Sequence, residues 1–404
     1  MSELQKSFLQ ISPNDNLLVA LQDLDTGTDI NWNGSSFKLT EDIPAKHKFA
    51  PVELESGEQV RLYGVLVGET TQKISQGERI RQSNVVHQAE DYRSSEVLFS
   101  WEAPCISNWE NRTFNGYVRT DGSVGTANYW LVVPMVFCEN GNIETLKTSM
   151  LRALGLSKRN QYEVFSQLLA DAYSRGDTPG TVSFPGGINH NKTSPVFPNV
   201  DGIKFLTHGL GCGETRGISE ELCALLAGYA CNPNVSGISV LSLGCQHAQV
   251  SIMEDEIAKR CPNFDKPFLV FEQQKYSSEQ EMMEQAIRQT YAGLSKINEL
   301  KRTPAPLSKL CLGMECGASD GFSGISANPA MGHAADLLTA IGGRVILSEF
   351  PELCGVEQEI VNRCANPDIG NRFIEIMRNY ELRVKEAGSG FHMNPEPASF
   401  TRSS

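Results

Sequence analysis

Hydrophobic and polar positions follow two different patterns in the two parts of this sequence. Up to about residue 95, short apolar runs such as 60–67 are interrupted by turns that carry glycine. From residue 116 onward, apolar runs of strand length alternate with segments in which apolar residues recur at helical spacing. The first pattern predicts a small β module, and the second predicts an α/β region with a mostly parallel sheet.

The α/β region is predicted to contain strands and helices in regular alternation. A first strand covers 129–137, and its Pro134 favours an edge position or a bulge because proline cannot donate a hydrogen bond to a neighbouring strand. The run 310–312 predicts a short buried strand. The other predicted strands are 203–207, 238–243, 268–271 and 344–347. The predicted helices are 143–154, 160–174, 218–231, 248–260, 278–300, 330–341, 356–363 and 371–384.

These patterns divide the chain into three segments. Residues 1–95 form the predicted β module, 96–115 a polar linker, and 116–404 an α/β domain. Strands that alternate with helices of this length favour a doubly wound, Rossmann-like sheet in which crossover helices cover both faces. The expected fold class is therefore α/β, with a small separate β domain at the N-terminus.

Composition narrows the choice of partners and of cellular setting. The 404 residues carry a net charge of −13, which argues against nucleic acid or an anionic membrane as the main partner. The longest apolar runs are too short to span a bilayer. The chain has eleven cysteines without a disulfide-framework spacing and begins without a signal segment, so we expect a reducing, cytoplasmic setting.

Three loops rich in glycine and small side chains follow predicted strands. The longest is 313–328, and the other two are 208–213 and 244–246. Because loops at the carboxyl ends of parallel strands converge on one crevice, we expect the three loops to line a common site. A glycine-rich backbone of this kind suits close approach to a small, oxygen-rich ligand.

A cysteine stands in each of these loops, namely Cys212, Cys245 and Cys316. Such residues bind a metal ion, hold an iron–sulfur cluster through three thiolates, or act as reactive thiols. Alternatively, each is a small hydrophobe buried beside a tight turn. No C-x-x-C pair occurs, so local spacing supports neither zinc nor a ferredoxin-type site, and the residues alone slightly favour the packing role.

Histidines and carboxylates supply the acid–base candidates. His208 opens the second loop, and a histidine followed by glycines at a strand end is unusual for a plain core residue. His47 lies between two lysines in the β module, where a solvated surface histidine is about as well supported as a functional one. Glu315 and Asp320 lie in the longest loop, where carboxylates serve as general bases or as ligands of hard metals. Asn328, followed by proline, is the predicted N-cap of the next helix.

Several motifs together resemble the altronate/galactarate dehydratase family of sugar-acid dehydratases. The turn 44–50 (PAKHKFA) is similar to the Lys-His-Lys turn of the family's small SAF-like β-clip domain. The resemblance covers almost the whole chain and is nearer to altronate than to galactarate dehydratases. Family members continue beyond the point that matches 394–397, so the α/β domain is expected to lack the family's C-terminal segment. The other matching motifs are 121–128 (DGSVGTAN), 208–213 (HGLGCG), 243–246 (LGCQ), 315–329 (ECGASDGFSGISANP) and 348–352 (SEFPE).

The resemblance implies a hydro-lyase that removes water from an aldonate or aldarate and leaves a 2-keto-3-deoxy acid. It also implies a divalent metal, Fe2+ or Mn2+, and an iron–sulfur cluster is less favoured. In such an elimination a base removes the proton next to the carboxylate, a metal stabilises the enediolate, and an acid assists departure of the 3-hydroxyl.

Residue roles are carried over from the motif matches. The expected catalytic residues are His47, Lys48, His208 and Asp320. The expected substrate-binding residues are Glu315, Ser319, Ser323 and Asn328, and the expected metal ligands are His47, Cys212, Cys245 and Cys316.

The expected partner is a small sugar acid, D-altronate in the first place. The alternatives are galactarate, another hydroxy acid, or binding of a sugar acid without catalysis. Neither nucleic acid nor a membrane is an expected partner, and assembly as a homodimer is left open.

Overall fold

The computed structural model describes residues 7–94, 100–157, 160–186, 194–315, 317 and 321–389. Contacts within the chain divide it into two compact units. Unit 1 comprises Met1–Glu110 and Leu310–Ser404, and unit 2 comprises Asn111–Lys309. The first division falls inside the predicted linker 96–115, whereas the second, at residue 310, has no counterpart among the predicted boundaries.

The N-terminal part of unit 1 is a β module, as predicted. Within residues 7–94 its strands form three antiparallel sheets, with the orders β1-β2-β5, β3-β4 and β6-β7-β8. Two buried clusters hold the sheets together, one around Leu17, Val60 and Ile74 and one around Ile30, Phe37 and Phe49. The strands are β1 (Phe8–Leu9), β2 (Leu18–Ala20), β3 (Asp29–Trp32), β4 (Ser35–Lys38), β5 (Lys48–Phe49), β6 (Gln59–Leu62), β7 (Val65–Thr70) and β8 (Val85–His87).

Two hairpins of this module use the same tight turn. Asn33 and Gly34 join β3 to β4, and Tyr63 and Gly64 join β6 to β7. All four residues have positive φ, at 48°, 80°, 58° and 82° respectively. Positive φ at both central positions defines the type I′ turn, whose twist matches that of the flanking strands.

Unit 2 contains a parallel sheet of four strands in the order β12-β11-β13-β14 and an antiparallel sheet in the order β10-β9-β15. Its strands are β9 (Thr113–Val118), β10 (Val124–Gly125), β11 (Tyr129–Pro134), β12 (Gly202–Phe205), β13 (Val235–Ser242), β14 (Phe268–Glu272) and β15 (Thr303–Pro306). Its helices are α1 (Asn140–Ala153), α2 (Gln161–Arg175), α3 (Arg216–Cys231), α4 (Val250–Arg260) and α5 (Glu279–Ile297).

Helices cover the parallel sheet of unit 2 on both faces. On one face Trp130 and Val132 of β11 belong to a buried cluster with side chains of α1 and α5. On the other face Leu131 and Val133 belong to a second cluster with side chains of α3 and α4. Successive residues of a strand point to opposite faces, so β11 contributes to both clusters, as β13 does through Leu241 and Val240. The predicted α/β class with a parallel sheet is therefore confirmed.

The position predicted for Pro134 is wrong. Pro134 is the last residue of β11, which lies between β12 and β13 and is therefore an interior strand. The irregularity of the β11–β13 ladder lies at the other end of the strand, between Tyr129 and Trp130. Proline is accommodated because it ends the strand, and the next residue, Met135, resumes the ladder by donating its N–H to Leu241 O at 2.8 Å.

The C-terminal part of unit 1 is a second, smaller α/β element. Strands β16 (Cys311–Met314) and β17 (Arg344–Leu347) pair in parallel. The prediction of a buried strand at 310–312 is wrong, because β16 is largely exposed and α6 has no buried residue. In the described residues β16 pairs with β17 alone, so the faces stay open, and Leu312 and Ile346 are 39% and 58% exposed. The helices are α6 (Ala327–Ala340), α7 (Glu357–Asn362) and α8 (Pro367–Glu386). No helix in the described ranges is long and apolar enough to cross a bilayer.

Candidate active site

Backbone strain marks one region of unit 1. Among the described residues, four that are not glycine have φ in the left-handed region: Asn33, Lys46, Tyr63 and Glu349. This conformation costs a residue with a Cβ about 1–2 kcal/mol, and asparagine tolerates it best. Asn33 is therefore an ordinary turn residue, whereas the other three need a reason. Lys46 and Tyr63 lie against the polypeptide between β16 and α6, and Glu349 directly follows Ser348, whose hydroxyl lies near Glu315. Strain of this kind is characteristic of functional sites.

Lys46 connects the Lys-His-Lys turn of the β module to the glycine-rich loop. Its φ is 71°. A Cβ added to Gly321 would lie 2.9 Å from Lys46 Cβ, so the loop needs glycine at this contact. The Lys46 ammonium lies 5.4 Å from the centroid of the Phe322 ring, within the range of a cation–π interaction. The turn and the loop that the sequence analysis selected therefore meet within unit 1.

His47 is partly buried and is oriented by its own turn. Its Nδ1 lies 3.2 Å from the carbonyl oxygen of Ala45. A carbonyl only accepts, so this bond assigns the proton to Nδ1 and leaves the lone pair on Nε2. His47 thus has one nitrogen that fixes the ring and one that is chemically available.

Lys48 is the most unusual charged residue of this turn. Its side chain is only 5% exposed. Burial lowers the pKa of Lys48 to about 8, because a charged amine is poorly solvated in the protein interior. Its Nζ forms no hydrogen bond or ion pair with any residue that the structure describes. A buried amine with a pKa close to neutrality is suited to proton transfer at physiological pH.

The strands of the second α/β element place further polar groups beside the loop. Ser348, which follows β17, donates its hydroxyl to Met314 O at 2.9 Å and lies 3.4 Å from Glu315 Oε2. Glu315 is exposed, and the strained Glu349 comes directly after Ser348. Two parallel strand ends therefore hold a carboxylate and a hydroxyl together.

The start of α6 differs from the prediction. The helix begins at Ala327, so Ser326 and not Asn328 occupies the N-cap position. The Ser326 hydroxyl donates to Phe322 O at 2.6 Å, and Asn328 lies exposed in the first turn. Ser323 opens a short 3-10 turn just before the helix. Three predicted site residues, Cys316, Ser319 and Asp320, lie outside the described residues.

In unit 2, His208 uses both ring nitrogens for hydrogen bonds. Nε2 lies 2.8 Å from Pro134 O, and Nδ1 accepts the N–H of Leu210 at 3.2 Å. A carbonyl needs a donor and an N–H needs an acceptor, so the ring is neutral with its proton on Nε2. The arrangement ties the loop after β12 to the end of β11.

The loops that carry Cys212 and Cys245 are joined at Gly211. Gly211 O accepts the N–H groups of His247 at 2.9 Å and Ala248 at 3.2 Å. Gly211 also packs so closely on β11 that an added Cβ would lie 2.4 Å from Met135 O. The predicted convergence of these two strand-end loops is therefore found within unit 2, with Cys212 half-buried and Cys245 exposed.

The expected metal ligands do not form a complete set in the part of the chain that is described. No group of three or more histidine, cysteine, aspartate or glutamate residues there is arranged to hold a metal ion. His47 lies in unit 1, whereas Cys212 and Cys245 lie in unit 2.

Two buried carboxylates were not among the site residues predicted from the sequence. Glu139, the last residue of the short 3-10 turn Phe137–Glu139 that follows β11, is 1% exposed and accepts from Asn142 Nδ2 at 2.9 Å, and burial raises its pKa. Glu357, at the start of α7, is 4% exposed and accepts the Gly355 N–H at 2.7 Å, and its pKa is also raised by burial. Glu139 lies on the segment between β11 and α1, near a strand end but not directly after it as Glu315 is. Glu357 sits within a helical pattern and gives no comparable signal.

A β module whose histidine–lysine turn packs on a polar, glycine-rich loop, together with a parallel sheet covered by helices, is the architecture of a multidomain α/β protein. Three family models match the chain in order. They are the altronate/galactarate dehydratase SAF domain at 6–88, the second domain of D-galactarate dehydratase/altronate hydrolase at 116–298, and the C-terminal domain of D-galactarate/altronate dehydratase at 307–401. The chain belongs to the altronate/galactarate dehydratase family, and it is a carbon–oxygen lyase.

Curated relatives match nearly the whole chain at low identity. The altronate dehydratase of Bacillus subtilis (strain 168) is 28% identical over 401 residues, which cover 98% of this chain and 70% of the relative. The altronate dehydratase of Escherichia coli (strain K12) is 25% identical over 395 residues, covering 97% and 70%. The galactarate dehydratase (L-threo-forming) of the same organism is 27% identical over 394 residues, covering 97% and 68%.

Proposed function

We propose that this chain removes water from a sugar acid, D-altronate in the first place, and releases a 2-keto-3-deoxy acid. Family membership supports a sugar-acid dehydratase. The observation that carries the proposal is the pairing of an oriented His47 with a buried Lys48 in a turn packed on the glycine-rich loop. Such a pair supplies a base and an acid side by side, as an elimination requires.

In the proposed reaction His47 acts as the base. Its Nε2 lone pair takes the proton from the carbon next to the carboxylate, and the electron pair of that C–H bond forms the C2=C3 double bond. The C3–O bond breaks as this double bond forms, and the departing hydroxyl takes a proton from the Lys48 ammonium and leaves as water. The enol that remains takes up a proton at C3, releases the proton of its C2 hydroxyl, and becomes the 2-keto acid. The pKa of Lys48, lowered to about 8 by burial, keeps it mostly protonated at pH 7 and still a better acid than an exposed lysine.

Polar side chains around the loop would hold the substrate. We assign the hydroxyl-binding role to Glu315 and Ser323, together with Asn328 in the first turn of α6, and to Ser319 and Asp320 of the same loop. Carboxylate and hydroxyl groups accept and donate the hydrogen bonds that a polyol offers. His208, whose two nitrogens are both engaged, would instead fix the loop that carries Cys212.

A divalent metal, Fe2+ or Mn2+, is the proposed cofactor. When bound, such an ion would polarise the substrate carboxylate and stabilise the developing enediolate. The described residues do not complete a ligand set. The proton transfers are therefore assigned to His47 and Lys48 and not to the metal. Cys212, Cys245 and Cys316 remain its proposed ligands, whereas His47 is not retained as one, because its single lone pair, on Nε2, serves as the base.

Two finer features of the fold belong to the same proposal. Family membership supports a β-clip arrangement for the three antiparallel sheets of residues 7–94. The order β12-β11-β13-β14, with helices on both faces, supports a Rossmann-like description of unit 2.

Turnover of a panel of acids tests the proposal. The chain is purified without oxygen, supplied with Fe2+ or Mn2+, and incubated separately with D-altronate, galactarate and an epimeric aldonate, and the 2-keto acid is measured. We expect turnover of D-altronate, and loss of at least 100-fold in kcat in His47→Asn and Lys48→Met. Galactarate is the second candidate, because a galactarate dehydratase matches the chain about as well as the altronate dehydratases do. Binding of the acids without any 2-keto acid would overturn the enzymatic assignment.

A further inference from the structure

Two hairpins of the β module differ at one position in a way that their shared turn does not explain. Both are type I′ turns, with Asn33–Gly34 in one and Tyr63–Gly64 in the other. Asparagine suits the first central position because its short side chain tolerates the left-handed region. A tyrosine there is strained, since its φ is 58° and its Cβ crowds the backbone.

The Tyr63 turn is held firmly from the other side. The N–H of Gly64 donates to Asp15 Oδ1 at 2.7 Å, and Asp15 Oδ2 accepts the N–H of Ser12 at 2.8 Å. Asp15 is only 4% exposed. Strained positions persist where the surroundings over-determine them, and this anchored turn satisfies that condition.

The strain delivers the Tyr63 side chain to the glycine-rich loop. A Cβ added to Gly324 would lie 2.4 Å from the Tyr63 hydroxyl oxygen and 3.1 Å from Cζ. Gly324 belongs to the short 3-10 turn that Ser323 opens, so the phenol ends beside a proposed substrate-binding residue. The hydroxyl has no hydrogen-bond partner among the residues that the structure describes. Tyr63 is 39% exposed, so a ligand bound at the loop can reach its side chain and replace water as the partner of the hydroxyl.

We propose that Tyr63 is a further substrate-binding residue, whose hydroxyl donates a hydrogen bond to an oxygen of the bound sugar acid. The inference rests on the proposed function, because it names a contact in the same site. Burial and the nearby Asp15 carboxylate raise the pKa of the Tyr63 phenol, so the group stays a donor through the neutral and mildly alkaline range. Gly324 is small because the phenol occupies the space where its side chain would be.

Two substitutions separate the roles of the hydroxyl and of the ring. Tyr63→Phe keeps the ring and the turn and removes the donor, so we expect an unchanged Tm and a KM for D-altronate raised about 10-fold or more, as loss of one hydrogen bond implies. Tyr63→Asn introduces the residue that the other hairpin has at this turn position. We therefore expect kcat/KM to fall at least as far as in Tyr63→Phe, and Tm to stay equal or rise by about 2–4 °C. Asn33→Gly in the matched hairpin is the control and should leave kcat/KM at the wild-type value.

Three outcomes would overturn the inference. One is wild-type KM in Tyr63→Phe, and another is a Tm loss of more than about 4 °C in Tyr63→Asn, which would make the tyrosine a packing residue. The third is equal binding of D-altronate by wild type and Tyr63→Phe in calorimetry, which needs no turnover. If the wild-type chain binds D-altronate but yields no 2-keto acid, the enzymatic proposal fails, and the calorimetric comparison still decides the role of Tyr63.

Discussion

Lys46 and Gly321 approach each other so closely that a Cβ on Gly321 would lie 2.9 Å from Lys46 Cβ. The two residues are far apart in the sequence, yet both belong to unit 1. Lys46 keeps a left-handed backbone with a φ of 71° at this contact. The strained turn of the β module and the glycine-rich loop are therefore fitted to each other, and the fit holds His47 and Lys48 at the loop.

Gly321→Ala tests this fit directly. The added Cβ meets Lys46 Cβ, which lies next to the backbone and cannot swing away, so we expect a loss of about 1–3 kcal/mol in the free energy of unfolding. We also expect kcat/KM to fall, because the turn must move away from the loop. Urea denaturation and the 2-keto acid assay measure the two effects.

Gly332→Ala is the matched control for that substitution. Gly332 lies inside α6, and a Cβ there would have no atom within 4 Å. Alanine should stabilise the helix by up to about 1 kcal/mol and leave activity unchanged. Equal stability of the Gly321→Ala and wild-type chains would show that the turn and the loop are not in tight contact.

The lowered pKa of Lys48 predicts the direction in which the stability of the fold changes with pH. Its pKa is about 8 in the folded chain and about 10.5 when unfolded, so between these values the unfolded state binds more protons. Stability should therefore rise with pH from about 8 to 10.5, and the cost of burying the charge is fully present below pH 8. We expect Lys48→Met to be more stable than wild type at pH 7, by up to about 3 kcal/mol, and to lose this part of the pH dependence.

Lys266, in unit 2, provides the comparison for this measurement. Burial also lowers its pKa to about 8, so it contributes a similar rise of stability with pH that Lys48→Met should leave in place. In the enzymatic assay, wild-type kcat/KM should fall as pH rises through about 8, because Lys48 loses the proton that it donates. A pH profile of Lys48→Met identical to that of wild type would remove Lys48 from the proposed chemistry.

Much of the fold could be predicted because burial leaves a periodic trace in the sequence. The apolar runs at 238–243 and 268–271 correspond to β13 and β14, and most predicted helices match observed ones to within a few residues. Strand ends next to glycine also marked the loops at 208–213 and 244–246 correctly. The failure at 310–312 has the opposite cause, since an apolar run shows a tendency to be buried, and among the described residues β16 pairs with β17 alone and stays largely exposed.

The finer features of the site, namely backbone strain and the burial of Lys48, could not be predicted from the sequence pattern. The strain at Lys46 and Tyr63 depends on which residues fall at turn positions with positive φ, and the sequence places a lysine and a tyrosine there where asparagine or glycine would be typical. The burial of Lys48 depends on the side of β5 that faces inward, and a two-residue strand is too short to show alternation. Contacts between residues hundreds of positions apart, such as Tyr63 with Gly324, need the structure.

Substitution of His208 tests whether its imidazole has a structural or a catalytic role. In His208→Ala the Pro134 carbonyl and the Leu210 N–H lose their partner, and we expect a loss of about 1–3 kcal/mol in unfolding free energy together with reduced activity. His247→Ala is the control, because its side chain is exposed and its backbone bond to Gly211 is retained. A His208→Ala chain of wild-type stability with abolished turnover would favour direct catalysis instead.

The close packing of Gly211 predicts a large loss of stability when a side chain is added at this position. Its φ is 112°, and an added Cβ would lie 2.4 Å from Met135 O and 2.6 Å from Val136 Cα, both backbone atoms. Since neither the conformation nor the space admits a side chain, Gly211→Ala should cost at least about 3 kcal/mol. Gly213, two residues later, has no atom within 4 Å of an added Cβ, so Gly213→Ala should stay within about 0.5 kcal/mol of wild type. Denaturation curves of the two variants compare the joined loops with the open part of the same segment, and equal midpoints would mean that Gly211 does not join them.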